Sequence, residues 1–141
     1  MSPSRLFAEL CADLLDHGCA VRFRAPGHSM HPTIENGEAI TVEPVKPSQV
    51  VPGDILLYSG SSGPIAHRVL RVKRGREDVF LLAGDASTSR DGPVRPQQIL
   101  GRVVSIERNC RSIDVNSRGA RVGQALRLLA SRLKSFARPS R

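Results

Sequence analysis

Glycine and proline punctuate this chain at short intervals from Pro26-Gly27 to Gly101, and no other feature limits its fold as strongly. A helix needs several uninterrupted turns to repay its nucleation, and such runs are scarce here. Short extended segments are what fit between the breaks. Cys19, Val21 and Phe23 alternate with Ala20, Arg22 and Arg24, the pattern of a half-buried strand ending at Pro26-Gly27. Asn36-Gly37 turns the chain into a strand over Ala39–Val42, and Pro44, Pro47 and Pro52 mark an irregular connection. Further strands are predicted over Ile55–Tyr58, Ile65–Val72, Val79–Ala83, Gly101–Glu107 and Ile113–Val115. Ser59–Pro64 reads as a flexible loop, and Gly84–Pro96 as a long loop of functional character.

Helical spacing is confined to the two ends. Ser4 stands where a cap belongs, Leu6, Phe7, Leu10, Cys11, Leu14 and Leu15 make one stripe, and Gly18 after His17 supplies the stop. Val122, Ala125, Leu126, Leu129, Ala130, Leu133 and Phe136 repeat that spacing near the other end. The expected architecture is mainly β with an amphipathic helix at each end. Residues 1–18 form the first helix, 19–117 a β domain and 118–141 a basic second helix.

With 141 residues, 40% of them hydrophobic, the chain supports one modest core. Aromatic residues are only 4% and tryptophan is missing, which argues against nucleic acid as a partner, because single strands are held on aromatic platforms. The net charge of +8 is largely local: Arg118, Arg121, Arg127, Arg132, Lys134, Arg138 and Arg141 face no acid after Asp114. Such a face suits solvent, docking on the β core, or peripheral contact with an anionic membrane. Cys11, Cys19 and Cys110 are odd in number and lack metal or redox spacing. Cys11 and Cys19 fall at apolar positions and are expected as reduced core residues, consistent with a cytoplasmic setting. The sequence shows no transmembrane run and no export signal.

Chemistry concentrates in three places. Gly27-His28-Ser29-Met30-His31-Pro32-Thr33 presents a hydroxyl beside a glycine after a strand. Strand alternation puts Ile65, His67 and Val69 on one face and Ala66, Arg68 and Leu70 on the other. The Gly84–Pro96 loop carries Asp85 and Asp91. A serine is a poor nucleophile until a base takes its proton, and an imidazole is a better base when a carboxylate fixes its tautomer. Each part has an ordinary structural reading as turn, core or Asx residue; the set points to a hydrolase. His28, His31 and His67 have no compact ligand spacing, so neither metal nor cofactor is expected.

Gly27-His28-Ser29-Met30-His31-Pro32-Thr33, Gly53-Asp54-Ile55, Ala66-His67-Arg68-Val69 and Gly84-Asp85 resemble, in this order, the successive motifs of the type I signal peptidases and their self-cleaving repressor relatives. The similarity runs from about Val21 to Val104 and implies that family's β core. His67 in place of a lysine resembles the endoplasmic-reticulum and archaeal branch. The resemblance implies Ser29 as nucleophile, His67 as general base, Asp91 as third member with Asp85 supporting it, and an oxyanion hole of backbone N–H groups at Gly27, His28 and Ser29. It implies a serine endopeptidase acting on a polypeptide substrate after small residues. The chain departs from the membrane-anchored members in lacking a hydrophobic anchor. The alternative expectation is a self-cleaving or catalytically silent regulatory or peptide-binding domain of the same fold.

Overall fold

The computed structural model describes residues 3 to 115, so the second predicted helix, over residues 118–141, lies outside the described residues. One helix, α1 (Pro3–Asp16), precedes eight strands: β1 (Val21–Arg24), β2 (Ala39–Glu43), β3 (Ile55–Gly60), β4 (Gly63–Lys73), β5 (Val79–Ala83), β6 (Asp91–Val94), β7 (Ile99–Arg108) and β8 (Arg111–Asp114). All pairings are antiparallel, in the order β1-β2-β7-β3-β4-β5-β6, with β8 paired to the far half of β7. The described fold is mainly β with an N-terminal helix.

Local sequence explains most boundaries. The helix stops where expected: Gly18 takes φ +80°, its N–H reaches the Leu15 carbonyl at 3.0 Å, and the Cys19 N–H reaches Leu14 at 2.9 Å. This is a Schellman closure, which uses a glycine in the left-handed region. The start differs, because α1 already includes Pro3 and Ser4 lies inside its first turn. Proline's fixed φ and missing N–H suit that position. Cys19 is exposed rather than core, because the helix closure occupies it and β1 begins only at Val21.

Three further expectations need correction. Ser59–Pro64 is no flexible loop: β3 and β4 run on to pair Ser59 with Pro64 and Gly60 with Gly63, leaving a two-residue turn. The Gly84–Pro96 loop contains β6, which pairs with β5 through Phe80–Val94 and Leu82–Asp91. Pro93 argues against a strand in sequence, but β6 is at the sheet edge, where a missing N–H costs no ladder bond. Ile113–Val115 shifts to Arg111–Asp114, set by a tight turn in which Asn109 and Cys110 both have positive φ.

Strand alternation divides the interior in two. Ile55 and Leu57 join Cys11, Leu15, Ile40, Val42, Val103 and Ile106 in a cluster that includes the inner face of α1. Leu56 and Tyr58, pointing the other way, join Val50, Val69, Phe80, Leu82 and Val94. β3 is thus buried on both sides, and whatever it carries is held rigidly.

Gly101 marks the tightest approach around the first cluster. A Cβ there would lie 2.6 Å from both the Glu43 carbonyl oxygen and Val42 Cγ1, and 3.3 Å from Leu15 Cδ1. Gly101→Ala should therefore destabilise the fold by about 1–3 kcal/mol, the usual cost of overpacking, read as a lower denaturant midpoint at unchanged slope.

Candidate active site

Ser29 lies in the connection between β1 and β2, in a turn built by its neighbours. The His31 N–H bonds the His28 carbonyl at 3.1 Å and the Ile34 N–H bonds Met30 at 2.9 Å. Met30 and Ile34 are each only 4% exposed, so the apolar residues pin the turn to the core while Ser29 stays at the surface. A second segment, after β5, closes over this turn. The Ala86 N–H donates to the Ser29 carbonyl at 2.9 Å, and the Asp85 N–H faces Met30 Sδ at 3.4 Å. Contact is this close because Gly84 has no side chain: a Cβ would fall 2.4 Å from the Ser29 carbonyl oxygen. The glycine is therefore a positioning residue for the serine.

Four elements meet at the hydroxyl. His67, on β4 and 9% exposed, sets Nε2 3.0 Å from Ser29 Oγ. Its Nδ1 is in close contact with Asp91 Oδ2, at the start of β6. A carboxylate can only accept, so Nδ1 carries the proton and Nε2 presents its lone pair to the serine. The Tyr58 hydroxyl, from β3, donates to the same Asp91 oxygen at 2.7 Å. Burial, and then the Asp91 carboxylate, push the Tyr58 phenol well above its ordinary value, so it remains a proton donor. The expected Ser29, His67 and Asp91 thus stand in hydrogen-bonding sequence. Tyr58 was not anticipated, although its signal was present: it is the only tyrosine of the chain, in an otherwise apolar strand.

Asp85 is not part of this relay. Both its oxygens are taken by Arg68, with Nε to Oδ1 at 2.8 Å and Nη2 to Oδ2 at 2.7 Å, and Thr33 Oγ1 donates to Oδ2 at 2.6 Å. Arg68 Nη1 donates to the Gly53 carbonyl at 2.9 Å. The physical reason is strand alternation: Arg68 points away from the His67 face and captures the nearer carboxylate. Asp85 therefore positions the Ser29 and Gly84 segments and does not orient the imidazole. Gly53-Asp54 likewise has a structural part: the buried Asp54 side chain accepts the Val51 N–H at 3.0 Å, and its carbonyl accepts Val69 N–H at 2.8 Å.

The predicted oxyanion donors also need one correction. The Gly27 N–H is occupied by Asn36 Oδ1 at 2.8 Å. The N–H groups of His28 and Ser29 donate to no acceptor among the described residues. A cleft of about 100 Å³ opens beside Ser29, lined among others by Phe23, Ala25, Met30, Leu57, Ile65 and Ala66. Among the described residues no group of three or more His, Cys, Asp or Glu is placed to hold a metal. Nor is any helix there long and apolar enough to cross a membrane.

The serine turn is clamped from its far side by Arg108 of β7. Its guanidinium reaches the Glu38 carboxylate at 2.7 and 2.8 Å, and Nη2 also donates to the Pro32 and Thr33 carbonyls at 3.1 and 3.3 Å. The hydrogen bonds from Arg108 hold the Glu38 carboxyl below its usual range. No protein-family model, curated protein or solved structure matches the chain.

Two predictions arise from these anchors. Asp85→Asn leaves the Arg68 guanidinium buried with its charge unpaired and should cost about 3 kcal/mol in equilibrium unfolding, with Arg68→Met costing less than this. A carboxyl held low in the folded state stabilises it above the ordinary carboxylate range, and that contribution is lost as pH falls through the lowered value. Arg108→Met should accordingly reduce stability at neutral pH and flatten its acid-side fall, as measured by unfolding at a series of pH values.

Proposed function

We propose that this chain is a serine endopeptidase of the signal-peptidase type, using Ser29 as nucleophile, His67 as general base and Asp91 as the group that fixes the imidazole. The observation that carries the reading is the 3.0 Å contact of Ser29 Oγ with His67 Nε2 while Nδ1 engages Asp91. An exposed serine with this neighbour has little structural use for it.

In the first step Ser29 Oγ bonds the scissile carbonyl carbon as its proton passes to His67 Nε2. Asp91 and the Tyr58 hydroxyl stabilise the imidazolium that results, by charge and by holding the carboxylate still. The negative charge on the carbonyl oxygen is received by backbone N–H donors, for which Ser29 and His28 have free groups. The imidazolium then protonates the leaving amine, the carbon–nitrogen bond breaks, and an acyl-enzyme remains. Water, deprotonated by the same nitrogen, releases the second product.

The side chain before the cut bond would enter the apolar cleft beside Ser29, lined by Ala25, Met30, Ile34, Leu57 and Ala66. The preference for small residues there rests on the resemblance to the signal peptidases. β1 contributes Phe23 to the cleft and stands at one end of the sheet order, an arrangement suited to an extended peptide adding as a further strand.

Cleavage of a peptide library should fall by several orders of magnitude in Ser29→Ala and in His67→Ala, with both proteins folded by circular dichroism. Tyr58→Phe removes one hydrogen bond to a charged group, so kcat should drop about 10- to 100-fold with KM little changed. A serine-directed acylating probe should label the parent protein at Ser29 and fail on Ser29→Ala. Undiminished cleavage in both the serine and histidine variants would sink the mechanism. The absence of both probe labelling and peptide turnover would favour the silent reading, and a shortened chain by mass spectrometry after long incubation the self-cleaving one.

A further inference from the structure

We propose that Arg24 determines specificity at the serine site by selecting peptides with a carboxylate on the second residue before the cut bond. The inference rests on the peptidase reading for where that bond lies, and it names a substrate chemistry that reading leaves open.

Two free backbone edges flank the cleft beside Ser29. β1 stands at one end of the sheet order, and β4 pairs with β5 only from Arg68 onward, so Gly63–His67 have β3 as their one strand partner. Both edges line the cleft, through Phe23 and Ala25 on one wall and Pro64, Ile65 and Ala66 on the other. Hydrogen-bond parity shows which groups are open. The Ala25 N–H donates to the Glu38 carbonyl at 2.9 Å and the Ala25 carbonyl accepts the Gly37 N–H at 2.8 Å. Bonding alternates along an antiparallel ladder, so Arg24 turns its own N–H and carbonyl to the free edge. On β4, Pro64 has no N–H to give its partner Ser59, and by the same alternation Ala66 also faces the free side. A peptide laid in the cleft thus meets backbone partners on both walls.

Side-chain parity then selects Arg24. Phe23 and Ala25 turn into the cleft, and Arg24 between them points to the opposite face, where it is exposed. A bound strand alternates in the same way. With the residue before the cut bond in the cleft, the third residue enters it too and the second shares the face of Arg24. Side chains opposite each other on one face of adjacent strands are about 5 Å apart at Cβ.

The charge there is uncompensated. Arg24 Nη1 donates to the Gly37 carbonyl at 3.0 Å, which fixes the guanidinium without neutralising it. Glu107 lies in register with Arg24 through Ala39 but pairs with Arg22, and Glu38 pairs with Arg108. Among the described residues no carboxylate pairs with Arg24, and its Nε and Nη2 donors are open. A planar fork of this kind matches a carboxylate.

The test compares peptides that differ only in the second residue before the cut bond, with alanine as the reference so that any general change in activity cancels. At low salt kcat/KM should be about three- to fivefold higher for glutamate than for glutamine, the size of an exposed ion pair, and lower again for lysine. The difference should close at about 1 M salt, where screening acts within about 3 Å. Arg24→Gln should erase the preference and Arg24→Glu reverse it in favour of lysine, with the fold verified by circular dichroism. Ser29→Ala, which cannot cut by this route, should bind the same peptides in the same order by calorimetry. Equal use and equal binding of the three peptides would overturn the proposal. So would a preference that Arg24→Glu fails to reverse, or one expressed at the third residue. Carboxylate-selective binding by Ser29→Ala with no cleavage by the parent would instead overturn the peptidase reading and leave the Arg24 assignment standing.

Discussion

The Arg68 guanidinium holds together four segments that are far apart in the chain. It engages Asp85 through two nitrogens, the Gly53 carbonyl through the third, and lies 3.5 Å from Thr33 Oγ1. Its side chain is 3% exposed and that of Asp85 16%. A charge so far from water is tolerated only when its hydrogen bonds are met, and here each partner is also a loop that must be in place. The turn before Ile55, the strand carrying His67, the serine turn and the segment after β5 are thereby brought to one place. The Ser29 carbonyl and Gly84 then close to a distance that admits no side chain.

The same strand separates two kinds of electrostatics. His67 and Arg68 are adjacent and, by the pleat, point to opposite faces, so one aspartate serves each. Arg68 with Asp85 forms a scaffold whose charges cancel. His67 meets Asp91, and Tyr58 on the same carboxylate oxygen makes that carboxylate a fixed acceptor. Tyr58 comes from a strand buried on both faces, which limits its movement. Positioned groups of this type lower the cost of reorganisation when charge develops.

Much of this was legible in the chain before any fold was known. The short strands follow from glycine and proline spacing, and the helix closure from Gly18. Ser29, His67 and a loop carrying Asp85 and Asp91 were identifiable as a set, and only the resemblance to the signal peptidases favoured Asp91. Cys19 was misread because its parity matched the strand while the helix closure consumed it. β6 was misread because Pro93 breaks the usual strand signal and only a sheet edge tolerates it. Gly27 was expected to offer its N–H, but Asn36, nine residues on, takes it.

Sequence alone determined the elements and the parts, since periodicity, turn residues and strand parity are local properties of neighbouring residues. Which aspartate meets the histidine, the recruitment of Tyr58 and the need for a bare glycine against Ser29 were decided by tertiary structure. Asp85 and Asp91 stand six residues apart in a segment that reads as one loop in sequence, although Asp91 opens β6. They are told apart only by which face of β4 each one reaches, and that depends on the pairing of β5 with β4 and of β6 with β5, set by contacts between residues distant in the chain.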